Sequence, residues 1–233
     1  MPLSIKTHTI EISGREIELK IRRHPRARHL ILRIDDSGEG AVITIPMRAA
    51  VRDALKMAKD KSSWILDGLL AHPGRNYFKD GMAIPFRGSD HIIRNQPAGM
   101  GVNANNGEII IGGKPEHLAR RLRDWLIKNA RTEINSLVME KTKLIDKKAG
   151  RITLRDTRSR WGSCGPTGNL NFSWRLIMAP AFVLDYLVAH EVAHLAHHDH
   201  GDNFWQLAEK LAVDMPAAHG WLEANGKTLH SYG

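Results

Sequence analysis

The chain of 233 residues has a single cysteine, Cys164, so it can form no internal disulfide and reads as a protein of a reducing compartment. No stretch approaches the roughly 18 consecutive apolar residues that a membrane span needs. The opening residues, MPLSIKTHTIEISGRE, alternate apolar with polar and hold no apolar run of signal-peptide length. The expected location is therefore the cytoplasm, with no membrane partner. Low-complexity tracts are absent and no internal repeat is visible. What remains is an ordinary soluble globular chain, long enough for one large domain or two small ones.

Acidic residues are the minority, 25 against 34 Lys and Arg, for a formal net charge of +9. The basic residues gather in RRHPRARH (Arg22 to His29), ARRLRDW and RITLRDTRSRW. Charge alone fits a solvated basic face as well as an anionic partner. These residues are scattered over several segments and no sequence-reading module is visible, so any nucleic-acid binding is expected to be weak and non-specific.

Residues 5–46 read as strands: SIKTHTIEI and EIELKI alternate around Ser13-Gly14, and HLILRI and AVITIP flank the hairpin signal DDSGEG. Helical spacing follows at Val51, Leu55, Ala58, Trp64 and Leu69, compatible with two helices. MAIPFRG, DHIIRN and EIIIGG read as short strands. From Pro115 a long helical pattern runs through Leu118, Leu122, Leu126 and Ile134 to a stop at Lys147, Lys148 and Gly150. RITLRD and SRWGSCGPTGNLNFSW predict three more strands, the last two a hairpin about Gly165 to Gly168. A histidine-rich helix then opens at Pro180, and a shorter one runs from about Asn203 to Val213 and stops before Pro216. The pattern is α+β, with a strand-rich part at 1–112 and a helix–small sheet–helix part at 113–233.

Five of the thirteen histidines fall in LVAHEVAHLAHHDHGDNFW, Leu187 to Trp205. The motif H-E-V-A-H places His190 and His194 at i and i+4, one helical turn apart on one face. Two imidazoles so placed can converge on one cation, and neutral imidazole suits Zn²⁺. Glu191 can lean over such an ion without ligating it and take a proton from water. A catalytic site wants a third protein ligand, and His197, His198 and His200 are the candidates. On a straight helix His198 would sit about 12 Å along the axis from His190. The chain must therefore turn after His194, and HHDHG, with His, Asp and Gly, suits a turn that presents His200. Metzincins share the resulting spacing but carry Gly where this chain has His197. Met215, before Pro216, reads as a core methionine. Asp199 or Asp202 can orient a ligand histidine through its distal N–H.

RWGSC, a Gly-containing turn, NLNFSWRL and VAHEVAHLAHHDHGDNFW together resemble the YgjP-like metallopeptidase family. The resemblance extends to the basic run before HLILRI, to VITIP, SSWI and KDGMAIPFRG, and so covers nearly the whole chain. It departs in DHG, where the family more often shows Asn-His-Ser, with His200 kept. The family is grouped with the zincins and related to SprT-like proteases. The resemblance implies a zincin-like core, one Zn²⁺ per chain held by His190, His194 and His200, Glu191 as the base, and a peptide or protein substrate. Some family members are described as UTP pyrophosphatases, which keeps a nucleotide substrate as the alternative.

Arg155, Arg158, Arg160 and Arg175, just upstream of the histidine helix, are candidates to bind phosphates or a substrate carboxylate, with Arg158, Arg160 and Arg175 the ones placed at the substrate. The hairpin edge could hold an extended peptide by strand addition. Tyr186 and the arginines are the candidates for an oxyanion stabiliser. Cys164 reads as a small packed thiol, with a fourth metal ligand as its functional option. The leading expectation is a zinc-dependent peptidase, followed by a metal-dependent nucleoside triphosphate pyrophosphatase. A nucleic-acid-associated protein with structural zinc comes last, because a structural site needs no glutamate.

Overall fold

A computed structural model describes residues 5–35, 38–71, 76–157 and 160–233. The chain divides into two compact units, Met1–Asn76 and Tyr77–Gly233.

In the first unit, β1 (Ile5–Ile12), β2 (Arg15–Arg23), β3 (Ile31–Ile34) and β4 (Gly40–Ile45) form one sheet in the order β1-β2-β4-β3. Ser13 and Gly14 both take positive φ, 53° and 76°, the conformation that a two-residue hairpin turn demands. Alternation in β2 puts Ile17, Leu19 and Ile21 on the inner face, where they meet Ile43 and Ile45 of β4. The helical pattern breaks at Lys61 into α1 (Val51–Asp60) and α2 (Ser62–Ala71). Ala54, Ala58 and Ile65 face the core, whereas Trp64, expected inside from its spacing, is 48 % exposed.

The second unit opens with β5 (Ala83–Phe86), β6 (Ser89–Gln96), β7 (Val102–Asn105) and β8 (Glu108–Gly112), in the order β5-β6-β8-β7. This repeats the first sheet: an antiparallel pair, a parallel neighbour (β2 with β4, β6 with β8) and an antiparallel last strand. No repeat is visible in the sequence because the two copies share alternation and turns, not residues.

A 3₁₀ turn at Pro115–His117 leads into α3 (Leu118–Leu144), whose Leu118, Leu122, Leu126, Ala130, Ile134 and Val138 form a buried stripe at i, i+4 spacing. Ile84, Phe86, Ile93, Ile109 and Ile111 of the preceding strands lie in the same core cluster. These strands bury their apolar faces with α3, so the compact units divide between Asn76 and Tyr77, whereas composition suggests a boundary near 112.

A three-stranded sheet follows, β9 (Ile152–Arg155), β10 (Gly162–Cys164) and β11 (Leu170–Ser173), in the order β10-β11-β9. The hairpin is closed by Gly165 N–H donating to the Asn169 carbonyl at 2.8 Å. After a 3₁₀ segment at Trp174–Met178 come α4 (Ala181–Ala193), α5 (Asp202–Leu211) and α6 (Met215–His230). No local signal announces α6, because Pro216 reads as a breaker. Here it stands in the first turn, where its missing N–H costs nothing, and Asp214 caps the helix by accepting from Ala217 N–H at 3.0 Å. Met215 packs against the core, as its type suggests. The architecture is mixed α+β, and no helix of the described residues is long and apolar enough to cross a membrane.

The central element is α4, buried from Val183 to Ala189 and again from Glu191 to Ala193. A helix apolar on all sides needs neighbours all round, and α3, α5, α6 and β10 supply them. Asp185, in the middle of this run, accepts from the Val213 N–H at 2.8 Å and pairs with Lys141 of α3 at 2.6 Å.

Candidate metal centre

α4 ends at Ala193, with His194 as its C-cap, and the chain turns as the ligand geometry requires. The turn carries His200 back over the helix end, so that His190, His194 and His200 each offer a ligand atom within 4.8 Å of the others. The Nε2 atoms of His190 and His200 lie 3.3 Å apart. Two ligands at roughly 2.05 Å from one tetrahedral ion would stand about 3.3 Å apart. His197, His198 and Cys164 do not belong to this group.

Phe204, fully buried on α5, forms the floor. Its ring lies 4.9, 4.4 and 4.7 Å from those of His190, His194 and His200, and Trp205 closes over His190 and His200 at 5.8 and 5.6 Å. The Phe-Trp pair thus fixes the imidazole planes by packing. His194 Nδ1 is fixed by the carbonyl of His197 at 3.0 Å, so a backbone group does for it what Asp199 or Asp202 was expected to do.

Burial pushes the His190 imidazole down to about 4, with the neighbouring histidines adding to the effect, and burial lowers His194 too. Both are therefore uncharged at neutral pH, with lone pairs free for a metal. The donor set fits a borderline divalent ion: three nitrogens, apolar support and buried neutral rings.

Glu191 is 4 % exposed, and its Oε2 is buried without a hydrogen-bond partner. Burial pushes its carboxyl up to about 7, with the charge of Arg160 pulling part of the way back. β10 crosses directly above it. A Cβ at Gly162 would collide with the Glu191 carboxylate, so only glycine lets the strand pass so close.

A cavity of about 280 Å³ opens here, lined by His190, Glu191, Gly162, Tyr186 and His219. Tyr186 Oη and His219 Nε2 are 2.6 Å apart. His219 escaped notice in the sequence because it stands alone on the unforeseen α6. A second cavity, of about 240 Å³, is lined by Arg155, Thr157, Arg160, Ser163 and Asn171, and shares Trp161 and Gly162 with the first.

The three arginines expected at the substrate part company. Arg158 lies outside the described residues. Arg175 is 1 % exposed: it donates to the Tyr232 carbonyl at 2.7 Å and to Asp156 at 2.5 Å, with its guanidinium over Trp174. Buried and committed, it joins Tyr232 to Asp156, which follows β9, and lines neither cavity. Arg160 lines the second cavity.

His200→Ala should weaken metal retention by more than the roughly 10–100-fold typical of changes to the partners that hold a ligand in place. His198→Ala should have little effect. Metal analysis after dialysis compares them, and equal losses would overturn the ligand set.

A family model described as YgjP-like, metallopeptidase domain, matches residues 28–225. No curated protein matches the chain. No solved structure matches it either.

Proposed function

Because the chain belongs to the YgjP-like metallopeptidase family, a family of metal-dependent hydrolases, we infer that it is a zinc-dependent peptidase with a zincin-like core, holding one ion on His190, His194 and His200. The observation that carries this reading is the convergence of three imidazoles beside a buried, unpartnered glutamate. When bound, the ion supplies Lewis acidity that polarises a carbonyl and makes water nucleophilic near neutral pH. Glu191 takes the proton of the attacking water on its free Oε2 and passes it to the leaving amine. Its cramped position under Gly162 leaves the carboxylate little freedom to swing away.

β10 is an edge strand, and among the described residues no strand pairs with its outer side. Ser173 N–H donates to the Trp161 carbonyl and Gly165 N–H to that of Asn169, each at 2.8 Å. Antiparallel alternation then turns the main-chain groups of Gly162 and Cys164 outward. An extended peptide can pair with them, and its scissile carbonyl then lies beside the cavity. Cys164 takes no part through its thiol, which burial pushes up and which points at the Gly165 carbonyl, 3.6 Å away.

The Tyr186–His219 pair is the donor assigned to the developing oxyanion. Burial pushes the Tyr186 hydroxyl up to about 12, so it keeps its proton at working pH. Tyr186→Phe should lower kcat on the order of 10²-fold with little change in KM, the scale for removing one such donor. A change confined to KM would make the pair a binding group instead.

The reading is tested by offering the zinc-loaded protein a mixed peptide pool and a panel of nucleoside triphosphates, with Glu191→Gln as control. Peptide cleavage lost in the variant supports it. Pyrophosphate release from UTP without peptide cleavage overturns it. The burial of Arg175 favours the peptide, since it removes one cation that a triphosphate would need.

A further inference from the structure

We propose that the cavity lined by Arg155, Arg160, Ser163 and Asn171, which shares Trp161 and Gly162 with the Glu191 cavity, is a specificity subsite, where Arg160 and Arg155 recognise an Asp or Glu side chain of the substrate next to the residue that enters the Glu191 cavity. The proposal rests on the peptidase reading and deepens it.

Neighbouring residues of an extended chain point to opposite sides. The Cβ position of Gly162 points at Glu191, so that side of β10 is the metal side. Ser163 therefore points to the other side, opposite Asn171 in the register. A peptide paired along β10 alternates in the same way. One side chain enters the cavity of His190 and Glu191, and the next enters the cavity of Arg155 and Arg160.

The second cavity is rich in donors. Arg155 Nε donates to Asn171 Oδ1 at 3.4 Å, and Asn171 Nδ2 to Ser163 Oγ at 3.3 Å, which aligns a polar row across the sheet. Among the described residues neither Arg155 nor Arg160 has an ion-pair partner. The acid nearest in sequence, Asp156, is committed to Arg175 and Arg123 at 2.5 and 3.3 Å. Two cations with amide and hydroxyl donors, and no carboxylate among the described lining residues, complement a carboxylate. A lysine on the substrate would meet like charge, and an alanine would leave the donors to water.

The test uses the full-length, zinc-loaded Glu191→Gln protein and fluorescent peptides of one length in which a single position is Asp, Glu, Ala or Lys, scanned along the peptide. Fluorescence anisotropy reads binding without turnover. At one register position the acidic peptides should bind about tenfold tighter than the alanine peptide, with lysine weakest. Added salt should reduce the difference. Arg160→Glu, checked for an unchanged melting temperature, should reverse the order, and Arg160→Lys should restore part of it. Equal binding of all peptides, or an acidic preference unchanged in Arg160→Glu, overturns the subsite while leaving the peptidase intact. If wild type cleaves no peptide and UTP competes for the arginine cavity, the peptidase reading fails and the subsite with it.

Discussion

Glu191→Gln is expected to lower kcat by at least about 100-fold while leaving the metal in place, the scale of general-base effects. Glutamine keeps the shape under Gly162 but cannot accept the proton. The pH profile carries a second signature. Burial holds the metal-free carboxyl at about 7, and a cation on the adjacent imidazoles favours the carboxylate and moves that value down. Glu191 serves as a base only when ionised. Activity should therefore fall as pH falls through its pKa, giving an acid limb below about 7. Arg160 also pulls the carboxyl down, so Arg160→Ala should move that limb to higher pH. Metal analysis and a kcat/KM profile check these points. Loss of metal in Glu191→Gln would make the glutamate a ligand and refute the proton-transfer role.

Lys141→Met should destabilise the second unit by about 3–5 kcal/mol, the range for breaking a buried ion pair from one side. The Lys141 and Asp185 side chains are 4 % and 10 % exposed, 2.6 Å apart. Lys141 Nζ also donates to the Leu211 carbonyl at 2.6 Å, and Asp185 accepts from Val213 N–H. The pair thus joins α3 and α4 to the link between α5 and α6. Methionine would leave the carboxylate buried without its cation. Adding Asp185→Leu should recover much of the loss, because two apolar groups replace two buried ions, although the Leu211 and Val213 main-chain groups lose partners. Urea unfolding followed through the second unit measures both. Metal affinity should fall in parallel with stability in Lys141→Met, since the pair fixes the helix that brings Phe204 beneath the imidazoles. A single-variant cost under about 1 kcal/mol would mean that water reaches the pair.

The local elements were legible because their signals are local. Alternation wrote β1 and β2, positive-φ residues wrote the Ser13-Gly14 turn, and i, i+4 apolar residues wrote α3. The spacing of His190 and His194 follows from helix geometry alone. So does the need for a turn before the third ligand, because a straight helix carries His198 out of reach.

Other features depend on residues far apart in the chain, and no local pattern encodes them. Trp64 and Arg175 exchange the places their types suggest: the tryptophan is exposed, while the arginine is buried between Asp156 and the Tyr232 carbonyl, 57 residues away. His219 reaches Tyr186 only because α6 folds back on α4. Backbone periodicity within a few residues wrote most of the strands, the long helix, the His190–His194 pair with its glutamate, and the requirement for a turn; β7, short and polar, carried no such signal. Tertiary structure alone decided where the units divide, which arginine lines a cavity, what presses on the imidazoles and how deeply Glu191 is buried. Those outcomes depend on which surfaces exclude water together, and burial is a property of the packed chain, not of any segment of it.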